Sequence, residues 1–140
     1  ILCCCWCSCG KVRRMNTALI LFAHGARDPE WAEPMRRVQA AIRQQQPDVP
    51  VELAFLEFMA PTLPDCIAAL VASGARKIVV MPMFIARGGH LKRDVPELLE
   101  KLRSAHPEVQ FSLGGVIGEQ EIVVQAMATA TLEVAGLTLA

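Results

Sequence analysis

Between Thr17 and Ala23 the chain reads TALILFA, an apolar run with neither a charge nor a breaker. An alternating strand can leave one face to water, but a continuous run needs cover on both faces. A parallel sheet held between helical layers is its natural host. The run stops at His24-Gly25, and Asp28-Pro29 then signals a turn into a helix. An imidazole at the carboxyl end of a first buried strand stands where open α/β sheets hold their ligands.

The rest of the chain repeats the alternation. A helix is expected from somewhere between Pro29 and Pro34 to about Gln46, with Trp31, Met35, Val38 and Ile42 on one face. Val51–Phe58 reads as a second strand, apolar except for Glu52 and Glu57. Thr62-Leu63-Pro64-Asp65 is a helix entry with a capping hydroxyl. Its helix turns Leu63, Ile67, Leu70 and Val71 inward and ends at Ser73-Gly74. Lys77–Met83 is a third buried strand and Phe84–Arg93 a glycine-containing loop. Asp94 and Pro96 open a helix whose inner face is Val95, Leu98, Leu99 and Leu102, and His106-Pro107 closes it. Val109–Leu113 is a fourth strand, and Glu119–Ala135 a last helix with Ile122, Val123, Ala126 and Ala130 inside.

This βαβαβαβα order with short connections, joined by right-handed crossovers, gives a doubly wound α/β fold. It is a four-stranded parallel sheet with helices on both faces. In the flavodoxin-like order 2-1-3-4 the switch point falls between the first and third strands, so His24 and His90 reach the same edge.

A length of 140 residues fits one domain, expected over residues 15–140. Fourteen basic residues balance 14 acidic ones, which leaves no bulk field to attract nucleic acid or a membrane surface. Apolar stretches are short; Ile78–Ala86 contains Pro82 and is too short to span a bilayer, so a soluble protein is expected. Of the 6 cysteines, all but Cys66 crowd positions 3–9, without the spaced pairs or downstream histidines of a zinc site. Residues 1–14 also fail as a signal peptide. They are read as a non-native or mis-called leader before Met15, against the alternatives of a soft-metal tail or an ordinary disordered one. One cysteine in the body and no secretory signal point to a cytoplasmic protein.

Chemistry gathers in two loops. His24 and His90 each follow a buried strand beside glycine (His24-Gly25, Gly88-Gly89-His90). Neutral imidazole suits first-row divalent metals, and glycine lets a bulky ligand approach the backbone. Either histidine alone could merely cap its element; two meeting at a switch point make a metal-handling pair the better reading. His106, at a helix end before proline, reads as structural. Glu57 is a carboxylate in a strand otherwise built for burial, so it needs a partner, a task or a solvent-facing place. Asp94 reads as a helix cap rather than a ligand. Arg27, Arg87, Lys92 and Arg93 cluster near the histidines in a chain of zero net charge. They suit a substrate bearing carboxylates or phosphates, with solvated loop charge as the plain alternative. No phosphate-cradling loop, dinucleotide fingerprint or nucleophile elbow is present.

HGARDPEW (His24–Trp31), FLEFMAPTL (Phe55–Leu63) and PMFIARGGHLKRDVP (Pro82–Pro96) together resemble the small sirohydrochlorin chelatases of the cobaltochelatase/ferrochelatase type. The likeness runs from Asn16 to about Leu137, with the motifs in order and spacing. It implies a chelatase fold of the doubly wound kind. It also implies insertion of Co²⁺ or Fe²⁺, in some relatives Ni²⁺, into a carboxylate-rich tetrapyrrole, the metal being a substrate and no prosthetic group being required. Carried over by position, the resemblance gives His24 and His90 as metal-handling and catalytic residues and Glu57 as the strand-end glutamate. Arg27, Arg87, Lys92 and Arg93, with Gly88 and Gly89, then become the substrate-binding rim. A homodimer is implied by resemblance alone. One departure is Ala26, where the family often carries serine. The rivals are a carrier that binds metal or tetrapyrrole without catalysing insertion, and a phosphohydrolase with His24 as nucleophile. The second lacks a phosphate cradle.

Overall fold

The computed structural model describes residues 16–137 and, at position 90, the backbone. The proposed leader over residues 1–14 lies outside the described residues. Four parallel strands run β1 (Thr17–Ala23), β2 (Val51–Phe55), β3 (Lys77–Pro82) and β4 (Gln110–Leu113), in the spatial order β2-β1-β3-β4. The expected 2-1-3-4 order is therefore present. Phe22 pairs with Ala54 of β2 and Pro82 of β3, which brings the three strand ends level at one edge.

The helices are α1 (Glu33–Gln45), α2 (Leu63–Ala72), α3 (Gly89–Ala105) and α4 (Glu121–Val134). A 3-10 turn, Pro29–Ala32, leads into α1, and the Asp28 carboxylate accepts from the Glu30 N–H at 2.9 Å. Trp31 belongs to that turn rather than to the helical stripe and stays 41% exposed. Thr62 caps α2, its hydroxyl accepting from the Asp65 N–H at 3.4 Å.

Period-2 alternation sorts the strands onto two cores. On one face Ile20, Phe22, Ile78 and Val80 are fully buried against Leu63, Ile67 and Leu70 of α2 and Val95, Leu99 and Leu102 of α3. On the other, Leu21, Val51, Leu53 and Phe55 pack with Met35, Val38 and Ile42 of α1. Burying one such side chain fully contributes about 1.5–3 kcal/mol, so the closed face carries much of the fold.

Three expectations give way. The second strand ends at Phe55, not Phe58, because the Phe55 N–H turns to the Pro61 carbonyl at 2.9 Å and closes residues 56–61 into a loop. The third helix begins at Gly89, not at Asp94 and Pro96, so His90 lies in its first turn rather than in a loop. Gly88, extended at ψ 156°, is its N-cap; Asp94 stands inside the helix, as does Pro96. Pro96 is exposed, so the bond it removes is lost on the water-facing side. Finally, α4 has no buried residue, and Ile122, expected inside, is 81% exposed.

Candidate metal and tetrapyrrole site

The parallel ladder delivers two loops to one edge. Beyond β1, the Leu56 N–H donates to the Ala23 carbonyl at 2.9 Å and the Glu57 N–H to the His24 carbonyl at 3.0 Å. Gly25 makes this possible: it has φ +91°, and a Cβ there would stand 1.9 Å from the Glu57 carbonyl oxygen. The glycine expected to admit a ligand thus admits the neighbouring loop's own backbone. The two residues then meet through their side chains, His24 Nε2 lying 3.0 Å from Glu57 Oε1 with both about half exposed.

On the other side, the Met83 N–H donates to the Phe22 carbonyl at 2.8 Å, extending the ladder past β3. Phe84 then packs edge-on to Phe22, with centroids 6.0 Å apart, and to the His24 ring at 6.5 Å. The imidazole is thereby backed by an aromatic wall. The 3-10 turn Ile117–Glu119 presses on the same connection. The Gly118 N–H donates to the Phe84 carbonyl at 2.9 Å, and a Cβ on Gly118 would reach 2.2 Å from the Ile85 carbonyl oxygen.

The cations expected at the rim fall into different settings. Arg87 Nε lies 3.1 Å from Glu119 Oε2, an exposed ion pair tying the β3–α3 connection to the turn before α4. Arg27 lies over the Phe58 ring, its Cζ 5.2 Å from the centroid. Lys92 and Arg93 are exposed on the first turns of α3. Arg87 and Lys92 line a pocket of about 270 Å³ with Phe84, Leu91, Val95 and Val116. His24 and Glu57 are not among its walls, so the cavity adjoins the imidazole–carboxylate pair without containing it. Gly88 and Gly89 open to space, with nothing within 4 Å of a Cβ at either position.

His106 caps α3 at its C-terminal end, away from this edge, as expected of a structural histidine. Burial, with the Glu52 charge adding to it, pushes the Cys66 thiol up to about 11, which keeps it protonated and inert near neutrality. Among the described side chains no group of three or more potential metal ligands forms. His24 and Glu57 instead make a pair. Such an open arrangement can share a divalent cation with incoming ring nitrogens, where a closed cage would retain it.

Two participants had no signal in the sequence. Phe58 occupies a left-handed conformation, φ 65°, that a bulky residue adopts at a cost of about 1–3 kcal/mol. Glu119, read as the start of a helix, is the partner of Arg87. Neither a phenylalanine at positive φ nor a long-range ion pair leaves a local pattern.

The chain is similar to a sirohydrochlorin cobaltochelatase of Methanococcus aeolicus, 40% identical over 82 residues, which are 59% of this chain and 57% of that protein. The match thus spans little more than half of that relative's length. Among solved structures, a cobalamin (vitamin B12) biosynthesis CbiX protein from Marinobacter aquaeolei VT8 superimposes with a TM-score of 0.77 at 26% identity, covering 87% of this chain and 99% of that one. SirB from Bacillus subtilis with Fe³⁺ gives a TM-score of 0.71 at 29% identity, covering 84% of this chain and 47% of that one. The CbiX family model matches residues 18–134, from the first strand to the end of α4. With the family's sequence pattern running through every element of the sheet and its helices, this chain belongs to the CbiX family.

Proposed function

We propose that this chain catalyses insertion of a divalent metal, Co²⁺ or Fe²⁺ and by the same ligand chemistry Ni²⁺, into sirohydrochlorin, on the way to cobalamin or siroheme. The observation that carries the reading is the His24–Glu57 pair, 3.0 Å apart at the sheet's switch point. With Glu57 ionised, the Nε2–H of a neutral His24 donates to it, which leaves the Nδ1 lone pair for a metal. His90, in the first turn of α3, is the second metal-handling imidazole. Insertion requires the macrocycle to lose its pyrrole protons as the metal enters. Glu57 and the two histidines are the bases for that transfer.

The rim reading fits as well. Arg27, Arg87, Lys92 and Arg93 pair with the carboxylates of the macrocycle. The early start of α3 adds a second source of attraction. Its first turn holds no acidic residue, and the open amides beyond Gly88 and Gly89 favour an anion at a helix N-terminus.

The assembly that goes with this reading is a homodimer. It is supported by α4, which displays Ile122, Val124, Met127, Leu132 and Val134 to solvent. A helix apolar nearly all round is normally covered. A cytoplasmic location also goes with it, and among the described residues no helix is long and apolar enough to cross a membrane.

The test is direct. Purified protein mixed with sirohydrochlorin and Co²⁺ or Fe²⁺ should accelerate the change in the macrocycle's absorption spectrum. His24→Ala and His90→Ala should each lose about 100-fold or more while staying folded. Insertion no faster than the protein-free rate with every metal tried would overturn the proposal, and macrocycle binding without acceleration would make the chain a carrier.

A further inference from the structure

The loop after β2 is pinned at its base and strained at its tip. The Phe55 N–H bonds to the Pro61 carbonyl at 2.9 Å, the Leu56 N–H to Ala23, and the Glu57 N–H to His24. With so many fixed points the backbone at Phe58 is held in the left-handed region at φ 65°. Asparagine or glycine would occupy that conformation with less strain. Hydrophobic burial does not explain the phenylalanine either, since it is 58% exposed. What the ring does touch is the Arg27 guanidinium, 5.2 Å from its centroid.

The two partners come from the same two loops that hold His24 and Glu57, each within a few residues of the pair. A guanidinium lying over an aromatic face is held through that face, and its in-plane N–H fork stays open for a carboxylate. Arg87 makes the contrast: its Nε is already engaged by the Glu119 carboxylate. Among the described residues Arg27 has no carboxylate partner, so its fork is available.

We infer that Phe58 is a positioning residue. Its π face fixes the Arg27 guanidinium so that the N–H fork meets a carboxylate of the tetrapyrrole beside the His24–Glu57 pair. The inference rests on the tetrapyrrole reading above. The backbone strain is the cost of placing an aromatic face at this tip.

The experiment titrates metal-free sirohydrochlorin into the full chain, following its absorption, and adds insertion kinetics. Phe58→Leu keeps apolar bulk but loses the ring quadrupole. It should weaken binding about two- to five-fold. The loss should appear in KM, with kcat nearly unchanged. Phe58→Tyr keeps the π face and should restore wild-type binding. In an Arg27→Ala background Phe58→Leu should have no further effect, because the ring acts only through the guanidinium. Phe58→Asn, which suits the backbone, should melt at or above the wild-type temperature and still bind weakly. The inference is overturned if Phe58→Leu binds as well as wild type, if its loss is equal in both backgrounds, or if Phe58→Tyr is as weak as Phe58→Leu. Wild-type binding without insertion would remove the chelatase reading and leave this inference standing. No binding of the macrocycle at all would remove both.

Discussion

The two faces of the sheet are closed to different degrees. Where α2 and α3 lie, Ile20, Phe22, Ile78 and Val80 are sealed from water. On the opposite face α1 covers β1 and β2, but Val79 and Met81 of β3 remain only half buried. The last helix, α4, has no strand after it, and it packs chiefly on the Ile117–Glu119 turn. Val134 is 91% exposed. Yet the composition of α4 is that of a covered helix, with Glu121 and Glu133 its only charges. The closed face thus holds the domain together, and the open one, with the exposed apolar side chains of α4, is the surface that the proposed homodimer would cover.

The largest effect expected from that asymmetry is on stability. Phe22→Ala, on the closed face, should cost about 3–5 kcal/mol in denaturant unfolding. Met81→Ala, on the open face, should cost below about 2 kcal/mol, since its side chain already meets water. Equal losses would mean that the two faces are equally closed in solution.

Next comes the surface itself. Ile122→Glu with Leu132→Glu places two charges on exposed positions of α4, where a lone chain should lose within about 0.5 kcal/mol. If a second copy covers the helix, the wild type should sediment at twice the chain mass and the double variant as a single chain. Melting of the wild type should also rise with concentration, by an amount that corresponds to about 2.7 kcal/mol where free partner stands at a hundredfold excess over Kd. A wild type that stays single at every concentration would break the link between open face and partner.

The same contrast separates what could be read from the sequence from what could not. Strand order was legible because Thr17–Ala23 and Lys77–Met83 are continuous apolar runs that only a sandwiched parallel sheet accommodates. His24 and Glu57 were legible as edge residues because each is polar at the end of such a run. The inner face of α4 was not, because a helix rich in Ile, Val, Ala and Met on every side has no stripe to follow. The start of α3 was hidden by Pro96, which normally marks a first turn but here sits on an exposed helical face. Phe58 was hidden for a third reason: its conformation is imposed by hydrogen bonds to residues distant in the chain.

The smallest effect probes closure of the α2/α3 face from within. Cys66 is buried on α2, and burial, aided by the Glu52 charge, raises its thiol from 9.0 to about 11. Below pH 9 the thiol is protonated whether the chain is folded or not, and its contribution is constant. As pH rises from about 9 to 11, the unfolded chain releases the proton and the folded one retains it, so stability falls. At about 1.36 kcal/mol per unit the loss approaches 2–3 kcal/mol at the top of the window. Cys66→Ala removes that slope. The chain has no tyrosine, and its other cysteines and its lysines are common to both proteins, so their titration cancels in the comparison. Urea unfolding of the two proteins between pH 8.5 and 11 should show their stability difference narrowing as pH rises. Parallel curves would mean that water reaches the thiol, and that the closed face is no better sealed than the open one.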